Sequence, residues 1–448
     1  MTEPASPHAQ GEKASFPSGL HNAFLFAAFN ALSFQVVLAS PMILYAKSLG
    51  ASATVLGVIA GMMPLLVIFQ IPAAGHVSRI GYRRFVLAGW SLRVTFIFFM
   101  ALVPLTATFL TSPNRLALLL ALLFCFNLSR GISSCAWLPW ITALVPPALR
   151  GRYLVRDAAV QNVASCVTFL VSAAVLSGQT RRWQFSVLFL FSAVMGALSL
   201  TFLKRIPDVP PPNEPRVSTT RVPWLGMAGY APFRKLLRTV VACSVASGGV
   251  TAFTVAFLKT EAGMSEGMIL LVSSAAFLGG LSSLWFIGLH LDRLGSKPVL
   301  GFSFAAWIAV LAGWAALAGG IIPARLISVV MLQYFMGLLS ALVSMSNTRL
   351  AMAVIPVMGR NHFFAIYSVV SNVTLGLAPI AWGLLIDAVG KRAPKWLGIE
   401  WNRFTVFFMA AAVAFGVALT FSRKLEEMLR EILIQSPQRF WLRLWPRG

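Results

Sequence analysis

The sequence predicts an all-α polytopic membrane protein: twelve transmembrane helices in two six-helix bundles related by a pseudo-two-fold axis. Three observations lead there. The chain is 58% hydrophobic and 11% charged, with a mean hydropathy of +0.79, whereas a soluble protein of 448 residues exposes far more charge. Apolar stretches of roughly 20 residues, the length that crosses a ~30 Å hydrocarbon core, recur along it. One loop pattern also occurs twice, as Gly288-Leu-His-Leu-Asp292-Arg293-Leu-Gly295-Ser-Lys297 and, degraded, as Ala74-Gly75-His-Val-Ser78-Arg79-Ile-Gly81-Tyr-Arg83-Arg84. Gly81 and Gly295 lie 214 residues apart, nearly half the chain, which points to a duplicated domain.

In the first half the spans fall near 23–46, 54–77, 85–110, 116–142, 157–177 and 185–204. In the second they fall near 236–258, 266–289, 298–318, 323–346, 363–387 and 403–422. The break between the second and third spans rests on the loop motif. There, glycines around a tight basic turn let two helices approach while charges dock on neighbouring helix ends. The domains are then a polar tail (1–20), an N-terminal bundle (21–204), a central loop (205–235), a C-terminal bundle (236–422) and a basic, aromatic tail (423–448). Pro207, Pro210, Pro211, Pro212 and Pro215 keep the central loop extended, and Phe233 to Arg238 reads as an interfacial lead-in to the seventh span. The final tail interleaves Arg439, Arg443 and Arg447 with Phe440, Trp441 and Trp445, which suits either a membrane surface or a loosely ordered end.

A second echo supports the duplication. Leu149-Arg-Gly151-Arg152 followed by Gln161-Asn162-Val163 parallels Met358-Gly359-Arg360 followed by Ser371-Asn372-Val373, with Asn162 and Asn372 210 residues apart.

The net charge of +23 invites a nucleic-acid reading, but its distribution argues for topology. An even number of spans puts both termini on one side. Of the 36 Lys and Arg, 24 fall on that side and 10 on the other, with Arg93 and Arg130 inside spans. The positive-inside rule then makes both termini cytoplasmic and the protein a multi-pass component of the inner membrane. No compact soluble domain carries a nucleic-acid footprint. Residues 1–20 are polar and the first apolar stretch is long enough to span, so no cleaved signal is expected. Cys125, Cys135, Cys166 and Cys243 all fall inside spans without metal-type spacing, so neither a disulfide framework, a metal nor a cofactor is expected.

The run from Gly288 to Leu300 resembles the signature between the second and third spans, and between the eighth and ninth, of the major facilitator superfamily. With the central loop and twelve spans, the resemblance covers roughly residues 20–422. It implies two bundles rocking about a midplane solute site by alternating access in a monomeric carrier. It also implies that Asp292, Arg293 and Lys297 latch the cytoplasmic ends, with Arg349 or Arg360 as partners for Asp292. The N-terminal copy departs from the pattern: Ser78 stands where an acid is expected and Ala74 where a glycine is expected. Its latch, built from Gly75, Ser78, Arg79, Gly81 and Arg83, is therefore weaker or borrows Asp157. The fifth-span Gly-Pro pattern of similar drug antiporters is absent from 158–178. A looser Gly376-Leu-Ala-Pro379-Ile-Ala-Trp-Gly383 in the eleventh span reads as a kink or close helix contact.

Every acidic residue and histidine falls in a loop, a tail or a span end, so a proton relay is not expected unless Asp157 tucks inward. Arg130 is the strongest ligand candidate. Counted from Leu116 it sits ~20 Å deep, where a cation costs at least ~2.5 kcal/mol and faces a cavity or a partner. Asn127, Arg130, Ser134 and Trp137 form one helical stripe; a solute anion is one counter-charge for Arg130, and backbone carbonyls or Asn127 are the structural alternative. Arg93 is weaker evidence for a cavity cation, because eight residues from Phe85 it lies within a long snorkel of the inner interface. The remaining cavity candidates are Asn30, Gln161, Asn162, Thr251, Gln333 and Asn372, which otherwise make interhelical bonds.

Three readings follow. The first is a secondary active or facilitative transporter of a small polar organic solute, an anion where it serves as the counter-charge of Arg130. The second is an efflux carrier of amphipathic compounds, favoured by 34 Phe and 13 Trp. The third, a membrane enzyme or receptor on the same fold, lacks any catalytic constellation or effector domain.

Overall fold

The computed structural model describes residues 16–146, 149–209, 229–286, 295–355, 360–390, 393–396 and 398–425. Among them twelve helical spans are long and apolar enough to cross a membrane. The N-terminal six are His21–Ser48, Ala53–Ile80, Tyr82–Thr108, Ser112–Leu144, Arg150–Val175 and Arg182–Leu203. The C-terminal six are Ala231–Thr260, Glu266–Trp285, Ser296–Ala318, Leu326–Val354, Phe363–Val389 and Arg403–Arg423. Twelve crossings return the chain to the face where it began; that side is called the terminal face below, and the opposite side the far face.

Duplication is visible in the backbone. Gly81 has φ +87° and ψ 150°, Gly295 has φ +79° and ψ 149°, and a span starts at the next residue in each case. This region is open essentially to glycine alone, and at Gly81 it lets the turn between antiparallel spans shrink to one residue, from Ile80 to Tyr82. The expected close approach is not made here: a Cβ on Gly75 or Gly81 would meet nothing within 4 Å. Conformation, not space, demands Gly81.

The helices depart from the expected spans in ways the hydropathy pattern could not show. The first span breaks at Ala39, whose extended backbone separates His21–Leu38 from Ser40–Ser48. The seventh breaks at Gly248–Gly249, with Gly249 at φ +79°, 210 residues beyond Ala39. The fourth breaks between Ser134 and Trp137. Phe233 to Arg238, the lead-in to the seventh span, belongs to the continuous helix Ala231–Ser247. Asp157 lies two turns inside the fifth span, which starts at Arg150 rather than 157. The proline run 210–215 and the aromatic tail beyond 425 lie outside the described residues.

The bundles meet along two crossings. Second and eleventh spans pack backbone to backbone, because a Cβ on Gly57, Gly61 or Gly383 would collide with the Pro379, Gly376 or Ala53 carbonyl. The Gly376–Gly383 run therefore makes a close helix contact. Fifth and eighth spans pack through Gly267 against the Ala173 and Leu176 carbonyls and through Phe169 on Phe277 at 4.9 Å. One apolar core runs through both bundles, and a second, with Phe26, Trp90, Trp140 and Tyr153, fills the terminal end of the N-terminal bundle.

Candidate functional site

Arg93 is buried, at 4% exposure, and does not snorkel. Its guanidinium carbon lies 4.7 Å from the Trp90 ring centroid and 5.0 Å from that of Phe126. Trp90 is fixed by donating its indole N–H to Asn30 Oδ1 at 3.2 Å. Arg130 follows Phe126 by one helical turn, on the face opposite exposed Ile132, so the two guanidinium groups share one region and repel each other. By rise per residue, Arg93 lies ~17 Å from the terminal end of its span and Arg130 ~21 Å from its own. Both sit near mid-depth. Among the described residues neither has a carboxylate partner, and Arg93 Nε is buried without a hydrogen bond.

The stripe around Arg130 divides. Asn127 is 1% exposed and donates to the Leu123 carbonyl at 2.9 Å, leaving its own oxygen buried and unpaired. It does not cap Arg130. Ser134 bonds back to Gly131, and Trp137 turns into the aromatic cluster, 4.9 Å from Phe26 and 6.2 Å from Trp90. The helix break after Ser134 takes Trp137 off the stripe.

On the fifth span Gln161 donates to Asp157 Oδ2 at 2.6 Å, while Asp157 Oδ1 is buried with no partner. Asn162 bonds to the Ala158 carbonyl and stands at the crossing with the eighth span, where a Cβ on Gly280 would reach its Oδ1. Gln35, absent from the sequence candidates, donates to Ser165 at 2.9 Å and ties the first span to the fifth. A second mid-span amide, five residues beyond Asn30, was the available signal.

The C-terminal candidates do not converge in the same way. Gln333 is 2% exposed with its Nε2 unpaired, and Asn372 bonds within its own helix to Ser368. Thr251 is exposed; the neighbouring Thr254 is the buried, unpartnered hydroxyl on that helix. None of the named cavity residues of one bundle is hydrogen-bonded to one of the other in the described structure.

Charge across the bundle seam is found instead at the far face. Asp387, at the end of the eleventh span, accepts from the Ala53 and Thr54 amides at 3.0 and 2.8 Å and from Thr54 Oγ1 at 2.7 Å. A carboxylate thus caps the N-terminus of the second span, where the orphan amides and the dipole favour it. Nearby, Thr180 of the N-terminal half donates to Glu266 at 3.0 Å, and Glu266 pairs with Lys259 at 2.6 Å. The short far-face halves of the first and seventh spans also pack on each other. Reading Asp387 merely as a span-end acid missed this, because its partner lies 334 residues away.

At the terminal face, Gly288, Asp292 and Arg293 lie outside the described residues, as does the Arg360 side chain. Lys297 donates to the Leu425 carbonyl at 2.6 Å, a cation at the last span's C-terminal end within its own bundle. In the other copy Ser78 and Arg79 are exposed and Arg83 half-buried.

The model of the Major Facilitator Superfamily matches residues 23–251. No curated protein matches the chain. Among solved structures, the nucleoside transporter NupG is 14% identical with a TM-score of 0.65, covering 90% of this chain and 98% of its own. A D-xylose–proton symporter is 13% identical with a TM-score of 0.70, covering 93% and 100%. A bacterial homologue of the human lysosomal transporter Spinster, in an inward-facing and unoccupied conformation, is 13% identical with a TM-score of 0.64, covering 91% and 97%. At these identities the likeness is one of fold. With more than half the chain matched by the family and its twelve apolar helices in place, the chain belongs to the Major Facilitator Superfamily and is a multi-pass membrane transporter.

Proposed function

We propose that the protein carries a small polar organic anion by alternating access. The observation behind this reading is the pair Arg93 and Arg130, both at mid-depth and without a carboxylate among the described residues. Two uncompensated cations in a low-dielectric bundle are costly, and a negatively charged solute relieves both at once. Asn30, Asn127, Gln161 and Asn162 supply neutral contacts from the same bundle, and Gln333, Thr251 and Asn372 shape the opposite wall. The conformer is closed at the far face by Asp387, Glu266 and the packed span ends. The glycine turns at Gly81 and Gly295, with Arg79, Arg83, Asp292, Arg293 and Lys297, form the gate at the terminal face. The lopsided basic charge supports cytoplasmic termini in an inner membrane, and two complete bundles in one chain support a monomeric carrier.

The test is a thermal-unfolding screen of the full-length purified protein against mono- and dicarboxylates, phosphate esters and neutral analogues, beside Arg130→Gln. Stabilisation by one anion class in the wild type, absent in the variant, supports the reading. Equal shifts in both proteins overturn it, and shifts confined to amphipathic compounds turn it towards efflux.

A further inference from the structure

A cavity of about 490 Å³ lies between the seventh and twelfth spans, away from the buried arginines. Its walls are two helical stripes: Arg234, Leu237, Arg238, Val241, Ala242 and Val245 on one side, and Ala414, Val417 and Phe421 on the other. Residues 234, 238, 241 and 245 repeat at helical spacing, so one face of the seventh span builds that wall. Val413 and Val417 of the twelfth span are 66% and 43% exposed, which sets the groove on the lipid-facing side.

Both arginines lie at the end nearest the terminal face and are exposed. Arg423 and Lys424, also exposed, end the opposing span at the same level. From Arg234 to Val245 the helix rises ~16 Å, about the ~15 Å thickness of one hydrocarbon leaflet. The groove therefore has cations at headgroup level and an apolar wall one acyl chain long.

The corresponding crevice of the N-terminal half is filled by the protein. Phe29 of the first span stacks on Phe202 of the sixth at 5.2 Å, and Arg205 lies over the Phe202 ring at 5.9 Å. A Cβ on Gly196 there would come within 2.9 Å of Ser33 Oγ. The open crevice with outward arginines belongs to the C-terminal half.

We propose that this groove binds one anionic phospholipid of the terminal-face leaflet, with its phosphate on Arg234 and Arg238 and one acyl chain along Val241, Val245 and Val417. Phosphate suits paired guanidinium groups by geometry as well as charge. Apolar walls alone would accept any lipid; the two arginines select the headgroup.

The experiment uses the full-length protein in detergent with dioleoylphosphatidylglycerol or dioleoylphosphatidylcholine added, read by native mass spectrometry and by thermal unfolding. One phosphatidylglycerol should bind the wild type roughly thirtyfold more tightly than phosphatidylcholine, as expected for two membrane-surface cations. Arg234→Gln/Arg238→Gln should abolish that preference, weakening phosphatidylglycerol binding far more than phosphatidylcholine binding, while Arg234→Lys/Arg238→Lys keeps part of it. Val241→Trp, which fills the groove with both arginines in place, should lose the tight phosphatidylglycerol adduct. Equal binding of the two lipids by the wild type would overturn the proposal. So would a preference surviving in the double Gln variant, or a tight adduct surviving in Val241→Trp. If the double Gln variant does not fold, Val241→Trp alone decides.

Discussion

In the N-terminal bundle the buried polar groups without full partners include a cation, Arg93, with Arg130 one turn from the ring it rests on; among the described residues of the C-terminal bundle they are neutral, Gln333, Thr254 and Asn347 among them. Yet the two bundles share a backbone plan down to the same glycine turn and the same broken first helix. Duplication preserved what the backbone needs and let side-chain chemistry diverge. A carrier needs both halves to move, but only one must read charge, and in the proposed reading the N-terminal half does so.

The largest expected effect breaks this asymmetry directly. Arg130→Gln should cost about 3 kcal/mol of solute binding, more than a hundredfold in initial flux into proteoliposomes, as for one partner of a buried charge pair. Gln333→Leu in the other half should cost less than tenfold. Equal losses would mean that charge is not read by one bundle alone.

Next in size is the far-face seam. Asp387→Asn keeps the shape but removes the charge from three cross-bundle bonds, so about 2 kcal/mol of preference for the closed far face should be lost. Spin-label distances between the far ends of the second and eleventh spans should broaden towards an open population. An unchanged distribution would show that the glycine crossing alone holds the seam.

A smaller effect tests what duplication kept. Gly81→Ala and Gly295→Ala each force a side chain into a backbone region open essentially to glycine, costing about 1–2 kcal/mol. The two variants should lower the melting temperature alike, although only the C-terminal motif retains its acid at Asp292. A loss at Gly295 alone would tie the turn to that carboxylate instead.

The smallest expected effect separates packing from recognition. Trp90→Phe removes the bond to Asn30, and Trp382→Phe removes the bond to the Val245 carbonyl, each about 1 kcal/mol of stability. Trp90 also supports Arg93, so its variant alone should weaken anion binding in the thermal-unfolding screen.

The sequence by itself determined the twelve spans, the duplication and the tight glycine turn that recurs in both halves, because spanning length, charge asymmetry and the glycine pattern are all written along the chain. It also singled out Arg130, since a cation far from either interface is conspicuous in one dimension. It favoured the interface for Arg93: depth along a helix says nothing about which way a side chain turns, and only packing put this one between Trp90 and Phe126. It missed the break at Ala39, where Leu38-Ala39-Ser40 carries no glycine to mark it. Asp387 on the second span and the groove beside Arg234 were equally hidden, because each joins residues far apart in the chain. Such pairings arise only when whole helices are laid side by side, and tertiary structure alone decides them.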